Sequence, residues 1–521
     1  MTRALLFTMV VGEACLRLRR GSTHVLLLVA ALAAWFMVVD PATGYNMLVA
    51  NSARVAYNST GLALGSSVLA TSLLGLFGFY LVRGRVDDDL RSGMGGVLAT
   101  MPVSNASLIL GRWAGAVLYL GSLILVLALT MCVLQSVRGE GVVAPLVYLQ
   151  FYALTILPNI FFCAAMAVLC ESTRPLMGKT GDVLYFLFWL AQVSVAAVFV
   201  SLNTGGTFAL AFDATGVGVL TQRGQQLLQT TSMAVGLNPF DKTVAPVVMA
   251  DNFWTWQMVL TRFAAAFAAA IPLALAAGLF HRFSPDRVRA PASRRTWAIG
   301  GGINRALRPL DVCSHLLLRA SARLPRLPGQ LGAELALTFA AYPLTGPLLL
   351  LSVAAGSLLD YAMLPWLLLA AVLYWGVVIA DLGVRDHAAD TEAISSSMPG
   401  GAMRRYWRQC AAAVLLGLLL TAPVMARWAG AEPLRAFCLF GGMLALTGLA
   451  QFLGSTLRTG RAFTVLFLSG LYIVAQSDDV AAMDLLGMHG EATAASIAQQ
   501  AAAGVALLVA GFGFARRRGL Q

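Results

Sequence analysis

Charge is scarce in this chain. Asp, Glu, Lys and Arg supply 12% of its 521 residues, where a soluble protein has about a quarter. Acids are the rarer sign, 24 against 36 Lys and Arg, and no carboxylate falls in the middle of a long apolar run. That excludes the buried acid by which proton- and sodium-coupled carriers usually couple transport. The seven cysteines (Cys15, Cys132, Cys163, Cys170, Cys313, Cys410 and Cys438) are odd in number and scattered, with no C-x-x-C pair. This excludes a disulfide framework or a metal knuckle and leaves small apolar residues. His24, His281 and His315 are isolated. No Ser/His/Asp set or carboxylate pair stands out. Gly178-Lys179-Thr180 ends like a phosphate-binding loop, but Thr173 stands where the first glycine is needed. The sequence therefore offers no catalytic, metal or nucleotide site of its own, and no cofactor is expected on this chain.

Long apolar runs are what it has. Hydrophobic residues make up 59%, and the mean hydropathy is +0.77. Backbone groups in hydrocarbon must be satisfied internally, so only helices or a closed barrel can cross. The runs do not alternate with period two, which favours helices. Twelve spans are expected, near Val25–Val39, Gly61–Val82, Trp113–Leu134, Leu146–Cys170, Val183–Leu202, Trp256–Phe280, Gly346–Leu359, Ala362–Ala380, Cys410–Ala426, Leu434–Leu457, Ala462–Gln476 and Ser496–Ala515. The fold class is thus all-α and polytopic. The apolar stretch Leu5–Val11 is brief and the basic cluster Arg17 to Arg20 follows it, so Leu5 to Leu18 suits an interfacial helix rather than a signal peptide. Most of the basic residues fall on one side of these spans, including Arg83, Arg85, Arg404, Arg405, Arg408 and Arg516 to Arg518. The positive-inside rule then puts both termini in the cytoplasm. The net charge of +12 flanks spans, so membrane lipid headgroups, not nucleic acid, are the expected partners.

The chain divides into residues 1–281, a basic linker 282–330 with an amphipathic helix near Asn304–Leu324, and residues 331–521, opened by a second entry helix, Gln330–Ala341. Each outer part holds six of the expected spans, and they look duplicated. A shift of 297 residues carries Asp89 onto Asp386, Met101-Pro102 onto Met398-Pro399 and Val117 onto Val414. In both parts a charged amphipathic segment lies between the second and third spans. The first part also has a large outer insertion, Asn203 to Trp254.

The stretch from Arg91 through Met101-Pro102-Val103-Ser104 to Gly111-Arg112 resembles the segment that follows the second span of ABC-2 type permeases. Gly236-Leu237-Asn238-Pro239-Phe240 is similar to that family's outer-loop pattern. The resemblance implies a six-span unit in each half of a fused chain in a bacterial inner membrane. It implies a permease that exports its substrate, driven by two copies of a separate ABC ATPase that carry the ATP, with room for a periplasmic adaptor. The amphipathic segments would be coupling helices seated on the ATPase: Asp87, Asp88, Asp89, Leu90, Arg91, Met94, Val97 and Leu98 in the first, and Asp386, Thr391, Glu392 and Ile394 in the second. The second half departs from the pattern after Met398-Pro399, where Gly400-Gly401 follows and Gln409 stands in place of Arg112. A major-facilitator-type carrier and a non-transporting membrane scaffold are the alternatives. Against the former stand the long connection between spans two and three and the absence of mid-span acids.

Three polar residues fall in or near apolar runs. Asn159 and Gln192 either line a pathway or bond neighbouring helices. Arg262 either reaches the outer headgroups or faces a cavity and an anionic substrate.

Overall fold

The computed structural model describes residues 3–173, 175–202, 213–230, 232–280, 311–389, 391–392, 394, 397, 401–476 and 484–518. It forms two compact units, 1–289 and 290–521. Among the described residues, eight helices are long and apolar enough to cross a membrane, or ten if each of two bent helix pairs counts as one span. The architecture is helical, as expected of a multi-pass membrane protein. The remaining two segments read as spans are also helical, over Lys179–Leu202 and Arg461–Gln476.

The first unit opens with α1 (Arg3–Leu18), which meets α2 (Gly21–Met37) at 76°. The expected entry helix thus lies across the first apolar helix. α3 (Ser59–Val82) is the centre of the unit, and most of its residues are buried. Asn58 starts it by accepting from the Gly61 amide, and its own amide group donates to the Met249 carbonyl at 2.8 Å. Two short helices follow, α4 (Arg85–Arg91) and α5 (Met94–Thr100), with Gly93 between them at φ +74°. Ser104 then caps α6 (Asn105–Arg138).

α7 (Pro145–Ser172) contains a π-helical turn at Tyr152–Ile156. Pro158 follows at once; it has no N–H to give to the preceding turn, and the wider turn accommodates this. α8 (Lys179–Leu202) comes next. The described residues of the insertion form α9 (Val217–Leu228) and a strand, after which comes α10 (Trp256–Leu279).

One feature is not all-α. β1 (Tyr45–Ala50) turns through Asn51 and Ser52, both at positive φ, into β2 (Ala53–Arg54). β1 also pairs antiparallel with β3 (Met233–Pro239), giving the order β2-β1-β3. The Gly236 to Pro239 segment noted in the sequence lies on this strand.

In the second unit, α11 (Asp311–Ala322) packs on α12 (Arg326–Ala341), inside the stretch read as linker and entry helix. α12 meets α13 (Thr345–Leu358) at 100°. α14 (Leu364–Leu382), α15 (Gly401–Ala431), α16 (Pro433–Leu457), α17 (Arg461–Gln476) and α18 (Ala494–Arg518) complete it. α16 and α18 meet backbone to backbone. A Cβ on Gly504 would lie 2.8 Å from the Ala445 nitrogen, and one on Gly448 would lie 2.7 Å from the Gly504 carbonyl. Such close approach is the use of small residues between membrane helices.

Candidate functional site

The segment linking α3 to α6 is the most heavily cross-linked part of the first unit. Arg83 pairs with Asp182 at the start of α8 at 2.5 Å, and neither side chain is exposed by more than 2%. It also donates to the carbonyls of Leu176 and Gly178. Arg17 on α1 reaches the Val82 carbonyl at 2.6 Å. Glu13 on α1 holds both Arg17 and Arg85 at 3.1 Å. Arg85 continues to Asp89 at 3.0 Å, and Asp89 to Arg112 on α6 at 2.5 Å.

Glu171, at the end of α7, accepts from the amides of Gly84, Arg85 and Val86, the open N-terminus of α4. Four acids (Glu13, Asp89, Glu171, Asp182) and four arginines (Arg17, Arg83, Arg85, Arg112) thus tie α4 to α1, α6 and α7, and the end of α3 to α1 and α8. The set is formally neutral, which is how so many buried charges are tolerated. Burial nevertheless outweighs Arg112 and Arg85 and holds the Asp89 carboxyl above the ordinary aspartate range.

Two residues expected to face a partner, Asp89 and Leu98, are turned inward. Asp89 is 1% exposed and serves as the hub of the ion pairs. Asp88 pairs with Arg20 at 2.6 Å on the surface. Leu98 packs inward against the cluster of Val86, Leu108, Ile109 and Phe280. Met94 and Val97 do point outward, 47% and 54% exposed, with Met101 beside them in sequence at 40%. Asp87, Leu90 and Arg91 lie on α4, with side chains outside the described residues.

The corresponding segment of the second unit is also tied down by charges. Glu334 on α12 is gripped by Arg385 and by Arg408 on α15, the latter at 2.6 Å. Asp386 lies 3.6 Å from Arg405. Glu392 lies 3.6 Å from both Arg405 and Arg458 and 3.3 Å from His387. The Thr391 amide donates to the Asp386 carbonyl at 2.9 Å. Ile394 stands out from this group, 64% exposed. Met398 and Pro399 lie outside the described residues.

Of the polar span residues, Asn159 bonds a neighbouring helix, one of the two readings its position allowed, whereas Arg262 is placed away from the surface. Asn159 donates to the Thr71 carbonyl at 2.7 Å and its hydroxyl at 2.9 Å, joining α7 to α3. Gln192 is half-buried on α8. Arg262 does not reach the headgroups: it is 1% exposed. The turn Asp213 to Gly216 covers it, within electrostatic reach of Asp213. A Cβ on Gly216 would meet the Arg262 guanidinium at 2.7 Å and Thr155, in the π turn, at 3.0 Å.

Asp213 shapes that turn by accepting from the Thr215 hydroxyl and from the Gly216 and Gly218 amides. Thr71 fastens it to α3 by donating to the Thr215 carbonyl at 2.9 Å. This closure over Arg262 was missed in the sequence, although Asp-x-Thr-Gly is a legible turn signal. The second unit has a comparable turn. Asp484 accepts from the Met488, His489 and Gly490 amides, and Arg435 donates to the Gly487 and Met488 carbonyls.

The described residues hold no group of three or more His, Cys, Asp or Glu arranged to bind a metal. Compared with protein-family models, curated proteins and solved structures, the chain matches none.

Proposed function

We propose that the chain is the membrane-spanning permease of an ATP-driven exporter of the ABC-2 type, powered by a separate ATPase. The observation that carries this reading is the α4–α5 elbow. It presents Met94 and Val97 outward on a segment whose base is clamped by Asp89, Arg85 and Arg112. An exposed apolar step on a rigidly held elbow suits a partner's groove. The ion pairs would carry a displacement of the elbow into α1, α3, α6 and α8 together. A freely hinged loop would absorb the same push.

In this proposal the chain crosses the membrane twelve times and supplies both six-span halves, with both termini in the cytoplasm of a bacterial cell. Two ATPase copies bind, one at each elbow, and ATP stays with them. Duplication is supported by a parallel within each unit. The entry helix carries a buried glutamate, Glu13 or Glu334, held by an arginine just beyond the second apolar helix after it, Arg85 after α3 or Arg385 after α14. The pathway lies where the helices meet, and its cargo is hydrophobic or amphipathic, since no mid-span acid is present to bind a cation.

The test is energetic. The purified chain in liposomes should neither hydrolyse ATP nor move an amphipathic dye down an imposed proton gradient. Addition of an ATPase subunit encoded beside it should confer both ATP hydrolysis and ATP-dependent dye movement. Gradient-driven movement by the chain alone would overturn the proposal.

A further inference from the structure

We propose that α11 and α12 form a hairpin that lies on the membrane surface and binds anionic phospholipid headgroups. The inference is independent of the ATP-driven reading. It requires only that α13 sit in the membrane.

α13 is apolar, and Leu350, Leu351 and Leu358 are 73%, 60% and 84% exposed on it, side chains suited to hydrocarbon. α12 leaves α13 at 100° and so runs across it instead of along it. Its position is fixed at the base of the unit, because Glu334 is held by Arg385 and Arg408 and the Tyr342 hydroxyl bonds Asp381. α11 follows α12, since Ser321 is buried against Gly332 and Gly329, with a Cβ on Gly332 falling 3.0 Å from the Ser321 Cβ. The hairpin is therefore carried at the level where the chain enters the bilayer.

Its outer surface has the pattern of such a location. With Ser314 and Ser321 turned inward, α11 (as far as Ala322) and the turn after it present two neighbouring rows of residues. One is His315, Arg319 and Arg323; the other is Leu316, Ala320 and Leu324, all exposed. Leu316 and Leu324 are 56% and 51% exposed, and Leu327 at the start of α12 is 75% exposed. Leucines side by side with arginines are poorly suited to bulk water. At an interface the leucines enter the acyl boundary while the guanidiniums meet phosphate. Glu334 is the one acid among the described side chains of the hairpin. It is buried and already engaged, so no acid among the described side chains of the outer face repels an anionic lipid.

The test uses the full-length chain in nanodiscs of phosphatidylcholine alone or mixed with phosphatidylglycerol. A fluorescent amino acid is installed at Leu316 or Leu324 by codon suppression, leaving the cysteines untouched. Quenching is read with a nitroxide-labelled lipid and with aqueous iodide. In phosphatidylglycerol discs the lipid quencher should act at both positions and iodide should act weakly. Arg319→Gln/Arg323→Gln should reduce lipid quenching several-fold, towards its value in pure phosphatidylcholine, while circular dichroism stays unchanged. Strong iodide quenching with no lipid quenching in anionic discs would overturn the proposal. So would protection that appears only when a soluble protein is added, and so would lipid quenching equal in both discs and indifferent to the arginines.

Discussion

Asp89 and Arg112 show how much a single contact carries here. Both are buried and 2.5 Å apart. Removing one partner of such a pair strands the other charge, at a cost of about 3–5 kcal/mol. Asp89→Ala and Arg112→Ala should each lower the melting temperature of the detergent-solubilised chain markedly. The double variant should be less damaged than the sum of the two, because the stranded charge is gone; additive losses would mean that the pair is not coupled. At Gly216, φ is +75° and the guanidinium of Arg262 fills the space a Cβ needs. Gly216→Ala should therefore destabilise by at least about 1–2 kcal/mol from the backbone alone, seen in the same melt. An unchanged melt would mean that the turn does not cover Arg262. The sequence did announce Arg262 as unusual, but its surroundings come from Asp213 to Gly216, far away along the chain. Asp89 was likewise visible as a charge in a motif; that it points inward depends on Arg112, one long connection later.

Among the elements, the contact of α16 with α18 is the most demanding of residue size. Gly504→Val would drive a branched side chain into the Ala445 backbone, an overpacking expected to cost about 1–3 kcal/mol. Gly513, with nothing within 4 Å of its Cβ position, is the control. Gly504→Val should lower the melting temperature and Gly513→Val should not; equal effects would argue against the close helix contact.

The helices themselves were largely legible. The expected interfacial helix near Leu5–Leu18 is α1, the second entry helix is α12, and the amphipathic stretch near Asn304–Leu324 contains α11. Hydrophobic periodicity is local, so it survives without tertiary information. β3 was not legible. Gly236, Asn238 and Pro239 are poor strand formers, and the strand exists because β1, from the other end of the unit, pairs with it. Leu98 shows the limit of periodicity. Its spacing marked it as part of an apolar face, but the fold turns it towards Ile109 and leaves Met94 and Val97 exposed.

At the scale of the whole molecule, the chain is two helical units with apolar helices enough for many crossings. The proposed topology puts the sheet on one side of the membrane and the elbow on the other. Cysteines introduced at Asn51 and Thr243 should react with an impermeant maleimide added outside intact cells, and cysteines at Gly96 and Ala322 should react only after permeabilisation. Outside labelling at position 96 or 322 would invert the arrangement and remove the elbow from any cytoplasmic ATPase.

The most direct measurement concerns the elbow itself. The chain, coexpressed with the candidate ATPase subunit, is purified as wild type and as Met94→Asp/Val97→Asp, and ATP hydrolysis is assayed in both preparations. Both positions are exposed, so the substitutions should leave the fold and its melting temperature intact. Wild type should bring down the ATPase in an active complex, and the double variant should lose most of it. A double variant that keeps the full complement of ATPase and its full activity would contradict the account, because the elbow would then not be where energy enters the chain.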